Sequence, residues 1–528
     1  MTVNPTTRRN LLGMAGAAGL VSALPSAVEG QTASGRSGGR PNLILFFTDE
    51  MRADALGCYG NPVVKTPNID ALARQGALFE NCHAQFPVCG ASRCSLLTGW
   101  PASQHGHRSL YYFLRPDEPN LFRYLKDGGY DVFWFGKNDA LAQETFYASL
   151  TDWFDPPGGE AGPFRGMPAP IGPVTMQFPS TPDRRALPDY AVLQRAIKVL
   201  ERRETDKPFC IFMALVQPHP PYSAPVDFAN LYKPADLPPL APPGLAKKPG
   251  YHAAIREAYG LTQVPDAQFR QIRATYYAQV SYSDWLLGEL LQAMERTGRD
   301  RDTALIFSSD HGDYAGDYGL VEKWPGALES CLTHVPLIAR VPGGVAGVRA
   351  PDMVELYDIM ATFLDLGGVK ANHTHFARSL LPQIHGGRGD ANRAAFTEAG
   401  YNVYEPQAFE PPGEGGPLYG KKHDLQNDHP ETVSRCASIR TRQHTYVARP
   451  GGQSELYDRL ADPLETVNLI DDRAHQSARE GLQTRLVNWY IDTTGVPPMD
   501  KDGREAPPHP PSRLQPVTPD IRDRALDL

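Results

Sequence analysis

The 528-residue chain has no basic surplus: 52 lysines and arginines face 60 aspartates and glutamates, for a formal net charge of −8. Nucleic-acid binding needs a positive footprint, so that partner class drops out, and an anionic substrate has to find a local basic pocket. Cysteine is scarce and odd in number, seven residues at positions 58, 82, 89, 94, 210, 331 and 436, with no Cys-x-x-Cys spacing. That pattern argues against a thiolate metal site and a disulfide framework, and leaves mostly buried free thiols. No apolar stretch approaches the roughly 20 residues that cross a bilayer, which argues against an integral membrane protein. No fixed-period repeat is present, so solenoid and propeller architectures are excluded.

Proline and glycine, by contrast, are plentiful at 50 and 48 residues. They predict long, turn-rich connections around a core that the 41% of apolar residues suffice to fill. Near the amino end, Arg8-Arg9 precede an apolar run from Gly13 to Leu24 and the small residues Pro25-Ser26-Ala27. This reads as a twin-arginine export signal over residues 1–30, followed by a Gly- and Ser-rich linker over 31–40. It predicts a periplasmic or secreted protein with the twin-arginine machinery as a partner, and any covalent maturation completed before export.

Four short, continuous apolar runs have the character of buried strands: Asn42 to Thr48, Tyr130 to Phe135, Phe209 to Val216 and Thr303 to Ser309. Helical stretches lie among them at Ile69 to Gln75, Leu121 to Asp127, Ala191 to Glu201 and Ala274 to Arg296. The alternation predicts an α/β fold, a large and mainly parallel sheet between helices. Each run leads into polar residues: Asp49-Glu50, Gly136-Lys137, Gln217-Pro218-His219 and Asp310-His311. Such folds bind ligands at the carboxyl ends of their strands, so these four ends predict one polar rim. The Pro- and Gly-rich excursions Asp155 to Asp189 and Lys233 to Gly250 are expected to shape its entrance. Past about Ile384 come short strands, at Ala394 to Glu398, Ser438 to Ile439 and Thr445 to Ala448, and a last helix near Ser477 to Thr493. The expected organisation is a catalytic α/β domain over 41–384, a small antiparallel sheet with a helix over 385–495, and a Pro-rich tail over 496–528.

The densest chemistry lies in Cys89-Gly90-Ala91-Ser92-Arg93-Cys94-Ser95-Leu96-Leu97-Thr98-Gly99. A cysteine followed by small residues and an arginine suits a nucleophile at a helix N-terminus, where backbone N–H groups favour an anion. The ordinary alternative, a buried cysteine that only packs, does not account for the spacing to Arg93 and the Leu-Thr-Gly tail. The segment resembles the signature of the formylglycine-dependent sulfatases of the alkaline phosphatase superfamily. Tyr59-Gly60-Asn61, Thr66-Pro67-Asn68-Ile69-Asp70, Gly136-Lys137, Pro218-His219-Pro220-Pro221-Tyr222, Ser309-Asp310-His311-Gly312, Lys323 and Glu455-Leu456-Tyr457-Asp458 are similar to landmarks of that family in the same order. Ala91 departs from the proline most cysteine-type members carry, which bears on the choice of maturation enzyme.

The resemblance implies an alkaline phosphatase-like fold and a sulfuric ester hydrolase. It further implies that a formylglycine-generating enzyme oxidises Cys89 and that the hydrated aldehyde attacks sulfur, later expelling sulfate as the aldehyde re-forms. Asp49, Glu50, Asp310 and His311, with residue 89, would hold one divalent cation. Calcium is implied by the family, while the imidazole keeps manganese and zinc open. Lys137 and Lys323 would hold sulfate oxygens, Arg93 would support residue 89 and the metal shell, and His219 would protonate the departing alcohol. The usual histidine two residues after the Gly-Lys pair is replaced by Asp139, which would accept from the hydrate or from a substrate hydroxyl. His105, His107 and His334 are secondary candidates. Tyr111, Tyr112, Phe113, Trp153 and Tyr222 offer faces on which a sugar can stack.

The substrate expected on this reading is an organic sulfate ester, a sulfated small molecule or carbohydrate. Two other readings stand beside it: a phosphonate or phosphodiester monoesterase of the same superfamily, and an inactive binding protein never modified at Cys89.

Overall fold

The computed structural model describes residues 39–156, 177–202, 207–412, 414, 416–498 and 504. The expected export signal, most of the linker, the middle of the first rim excursion and most of the tail lie outside the described residues. Within them, Asn42–Asp49 (β1) is buried along its whole length, and its side chains alternate between two apolar layers. Leu43, Leu45 and Phe47 enter one layer, Ile44 and Phe46 the other, as the period of two along a strand requires.

The remaining strands of this sheet are Ala77–His83 (β2), Asp131–Gly136 (β3), Asp152–Phe154 (β4), Phe209–Pro218 (β5), Thr303–Ser309 (β6), His334–Val335 (β7), Leu337–Arg340 (β8) and Val348–Glu355 (β9). Among the described residues the nine strands run in the order β4-β3-β5-β1-β6-β8-β2-β7, with β9 paired to β2. The β4-β3-β5-β1-β6 half is parallel throughout, and β8 and β7 add antiparallel pairs. Register carries the function: Thr48 pairs with Ser309, Asp49 with Pro218 and Gly136 with Ala214. The four polar strand ends therefore emerge side by side.

Helices cover both faces. Pro188–Glu201 and Asp266–Thr297 supply Val192, Ala196, Ile272 and Leu286 to one layer. Cys89–Thr98, Leu121–Asp127 and Asp358–Gly367 supply Leu96, Phe122 and Phe363 to the other. The long helix starts at Asp266, eight residues before the expected Ala274, because Phe269 and Ile272 extend its buried face. No helix among the described residues is long and apolar enough to cross a membrane. All seven cysteines are free thiols, five of them buried.

A second, antiparallel sheet follows: Ala395–Ala399 (β10), Cys436–Arg440 (β11), His444–Ala448 (β12) and Glu455–Asp458 (β13), in that order. The last helix, Gln476–Thr493, packs Leu482 and Leu486 on Ile439, Tyr446 and Leu456. The fold is thus the expected mainly parallel sheet between helices, with a smaller antiparallel sheet and helix behind it.

Candidate active site

β1 ends at Asp49 and hands the chain to Glu50, whose φ of 63° lies in the left-handed region. A non-glycine residue there costs about 1–3 kcal/mol and persists only where its surroundings hold it. They do so here: the Glu50 N–H donates to Asp310 Oδ1 at 3.1 Å, and its carbonyl accepts from the Tyr276 hydroxyl at 2.6 Å. Next door, β3 ends at Gly136, with φ 105°. A Cβ at that position would lie 2.0 Å from the Ala214 carbonyl oxygen, so only glycine lets the chain turn and present Lys137. Cys89 opens a helix whose ten residues are all buried. At Gly90 a Cβ would meet the Ser109 carbonyl oxygen at 2.8 Å, so the loop after the helix closes directly over its start.

Polar and charged groups converge on the Cys89 sulfur. His311 Nε2 lies 3.1 Å from it, Asp49 Oδ1 3.5 Å and Lys137 Nζ 3.5 Å. Arg93 bridges the two acids, donating to Asp49 Oδ2 and to Asp310 Oδ2 at 2.9 Å each. Lys137 reaches Asp49 Oδ2 at 2.8 Å and Asp139 at 3.1 Å. Burial pushes the Asp49 carboxyl up, but Lys137 and Arg93 outweigh it and hold the group well below the usual carboxylate range. Burial, with Asp49 adding to it, holds the Cys89 thiol well above its ordinary value. As a thiol it is protonated and a poor nucleophile.

A second cluster abuts the first. Lys323 Nζ donates to Glu50, to His219 Nε2 at 3.0 Å and to Glu322 at 3.1 Å. Burial pushes this ammonium down, but Glu50 and Glu322 overcome it and keep it well above its ordinary value. His219 Nδ1 bonds the Pro220 carbonyl at 2.5 Å, which fixes the proton there and leaves Nε2, 3.2 Å from Glu50, as the nitrogen that can carry a second one. Behind Lys323, Glu322 accepts from Lys422 at 3.1 Å, and Lys422 pairs in turn with Glu410 at 3.5 Å.

Asp49, Cys89, Asp310 and His311 place one ligand atom each within 4.8 Å of one another. The donors fit a divalent cation. Asp49 is anionic, and His311 bonds the Gly312 carbonyl through Nδ1 at 2.9 Å, which leaves the lone pair of Nε2 toward the cluster, the tautomer a metal requires. Burial also holds His311 below its ordinary value, in the neutral form that ligates. Glu50 does not join this set. Its carboxylate turns to Lys323 and His219, and it belongs with Asp49, Cys89 and His219 to an overlapping group; one buried oxygen, Oε2, has no hydrogen-bond partner.

Every residue expected on the rim is therefore present: Asp49, Glu50, Cys89, Arg93, Lys137, Asp139, His219, Asp310, His311 and Lys323 are all buried there. Asp139 sits on Lys137 rather than opening toward solvent. The secondary histidines serve elsewhere. His105 stacks on Trp100, His107 bonds Glu118, and His334 bonds the Glu80 carbonyl and stacks on His83. Tyr222 is not a stacking face, since its ring is fully buried and its hydroxyl donates to Asp313 at 2.8 Å. Sequence reasoning missed Asp313, Glu322 and Lys422. The first two adjoin residues already singled out, whereas nothing local marks Lys422.

Human iduronate 2-sulfatase is 28% identical to this chain over 445 residues, covering 72% of it and 77% of the relative. The phosphonate monoester hydrolase of Agrobacterium radiobacter superposes with a TM-score of 0.70 at 24% identity, covering 86% of this chain and 96% of that one. A protein solved with its substrate D-glucosamine-2-N,6-O-disulfate superposes with a TM-score of 0.68 at 20% identity, covering 86% and 98%. At these identities the two superpositions show the fold. The sulfatase family model matches residues 41–369, the stretch that carries Asp49, Cys89, Lys137, His219, Asp310 and Lys323, so the chain belongs to the sulfatase family and is a sulfuric ester hydrolase.

Proposed function

We propose that the protein is an exported sulfatase that hydrolyses carbohydrate sulfate esters, with residue 89 matured to formylglycine and one divalent cation bound beside it. The observation that carries this reading is the convergence of Asp49, His311 and Lys137 on a Cys89 sulfur that is itself held protonated. An acid, an imidazole and an ammonium gathered around an inert thiol make sense when that side chain is replaced by an oxygen nucleophile. Two of the similar proteins are named for, or solved with, sugar sulfates, which supports the carbohydrate.

Formylglycine would supply a hydrated aldehyde in place of the thiol. A cation held by Asp49, Asp310 and His311 would supply Lewis-acid polarisation of a sulfate oxygen, with calcium foremost and manganese and zinc as alternatives. The chain's own residues do the rest. Arg93 locks Asp49 and Asp310 in register. Lys137 and Lys323 draw charge from the transferring sulfuryl group, and they do so in a buried site where each unit of charge counts for more than in water. His219 Nε2, facing Glu50 and Lys323, delivers a proton to the departing oxygen. Residues 41–384 form the catalytic domain that carries this chemistry, with the small domain over 385–495 tied to it through β10.

Mass spectrometry of the peptide containing residue 89, with turnover of matched sulfate, phosphonate and phosphodiester substrates, tests the reading. Formylglycine and a preference for sulfate are expected. Unmodified thiol in active enzyme would sink the nucleophile, and a preference for phosphonate or phosphodiester would favour the monoesterase. An unmodified thiol together with no turnover of any ester would favour the binding homologue. Elemental analysis identifies the metal. Export rests on Arg8-Arg9 and the apolar run behind them; replacing both arginines by lysine should retain the protein in the cytoplasmic fraction.

A further inference from the structure

β10 is tied to both catalytic clusters at once. Thr397 Oγ1 donates to the Ala84 carbonyl at 2.7 Å and the Glu398 N–H to the Gln85 carbonyl at 2.9 Å, on the segment that leads into Cys89. One step further, the Gly400 N–H donates to the Pro325 carbonyl at 2.6 Å and the Tyr401 N–H to Val433 at 2.7 Å, while Trp324 Nε1 donates to Thr432 at 2.8 Å. Tyr401 is thereby fixed between the approach to Cys89 and the exit from Lys323.

Its side chain is 1% exposed and its ring packs on Phe409 at 5.6 Å, yet its hydroxyl has no hydrogen-bond partner. Among the described residues it is the only buried tyrosine hydroxyl in that state. Tyr222, Tyr251, Tyr276, Tyr314 and Tyr457 all donate to carboxylates or carbonyls. An orphaned buried hydroxyl is costly and calls for a reason. Burial, with Glu410 and Tyr111 adding to it, keeps the phenol neutral, a donor, although Lys323 pulls the other way.

We infer that Tyr401 is a substrate-contacting residue, its hydroxyl donating to an oxygen of the alcohol half of the sulfate ester, a polyhydroxylated alcohol such as a sugar. The inference rests on the hydrolase reading and adds the side from which the leaving group is recognised: Tyr401 stands on the Lys323 side, where His219 faces the departing oxygen. It also explains why the antiparallel sheet is stitched so closely to the catalytic loops.

Tyr401→Phe removes only the hydroxyl and breaks no bond in the fold, so the variant should melt at or above the wild-type temperature. For a sugar sulfate, kcat/KM should fall roughly 3- to 15-fold, mostly through KM. For 4-nitrophenyl sulfate, whose alcohol offers no further hydroxyl, it should change less than about twofold. Equal losses on both substrates, or none on either, overturn the assignment. Calorimetry of the same sugar sulfate binding to Cys89→Ala and to Cys89→Ala/Tyr401→Phe reads the contact without turnover. A weaker double variant supports Tyr401 even if the wild type proves inactive, an outcome that would sink the hydrolase reading alone, and equal affinities overturn Tyr401.

Discussion

The cluster around Cys89 and the cluster around Lys323 share one rim but are built differently. Asp49, Lys137, Asp310 and His311 stand at or just past the ends of adjacent parallel strands, so their spacing is set by the sheet itself. Lys323 and Glu322 sit on a loop, and their orientation depends on Lys422 from the Gly416–Asp428 helix, 100 residues away from Glu322. On the proposed reading, rigid strand ends hold the groups for the metal and one of the two lysines for sulfate, as a site built on regular elements does best. Around His219, which follows β5, the proposed leaving-group side is completed by loops and the C-terminal region, where sequence can vary without disturbing the sheet.

The largest effect should come from the strand-built side. Arg93→Ala leaves Asp49 and Asp310 buried without their shared partner, which is expected to cost about 3–5 kcal/mol of stability and all measurable turnover. Denaturant unfolding and elemental analysis of the same sample check it, and a variant that stays stable and metal-loaded would dissolve the contrast.

His219→Ala probes the junction of the two clusters. Roughly 10²- to 10⁴-fold should be lost on alkyl or sugar sulfates and far less on activated aryl sulfates, whose alcohols depart without a proton. The decisive measurement is kcat/KM across a leaving-group series, and a loss independent of leaving-group pKa would reassign His219 to sulfate binding.

On the loop-built side, Lys422→Met removes one arm of Glu322 and lets it pull Lys323 away from Glu50 and His219. A loss of roughly 10- to 100-fold in kcat/KM is expected with metal content unchanged, and Lys422→Arg should restore most of it. Failure of the arginine to rescue would make Lys422 merely a packing residue.

Asp284, outside both clusters, should affect stability and leave turnover alone. It accepts from the Asn68 and Ile69 N–H groups at 2.9 and 2.7 Å, and burial, against those bonds, raises its pKa to about 7. The folded protein therefore holds a proton that the unfolded chain releases near pH 4. Its contribution is fully present below that pH and is lost as pH rises to about 7. The stability of wild type relative to Asp284→Asn should decline by about 1 kcal/mol per pH unit between pH 5 and 7 and then level off. A flat difference would refute the shift.

The same division governs what the sequence discloses. β1, β3, β5 and β6 are buried on both faces, so each reads as a continuous apolar run with its functional residue at the end. β2 and β9 belong to the other half of the sheet and carry Glu80-Asn81 and Pro351 in their interiors, which breaks any run and hides them. Tyr222 reads in the sequence as one of the aromatics on which a sugar could stack, yet the fold uses its hydroxyl to hold Asp313 and Glu322. Lys422 and Tyr401 reach the site only through tertiary contacts, and no local pattern of residues encodes such a meeting.

All ten residues of the helix that begins at Cys89 are buried, and the chain at Ser109 leaves no room for even a methyl group on Gly90. Once this helix has docked, no macromolecule can grasp the segment. On the proposed maturation, oxidation of residue 89 would have to race the collapse of its own helix, and the yield of competent molecules would be a ratio of two rates rather than a property of the finished fold. Variants that delay docking while leaving the rim intact should then carry more of the proposed modification, which would make folding speed a determinant of specific activity.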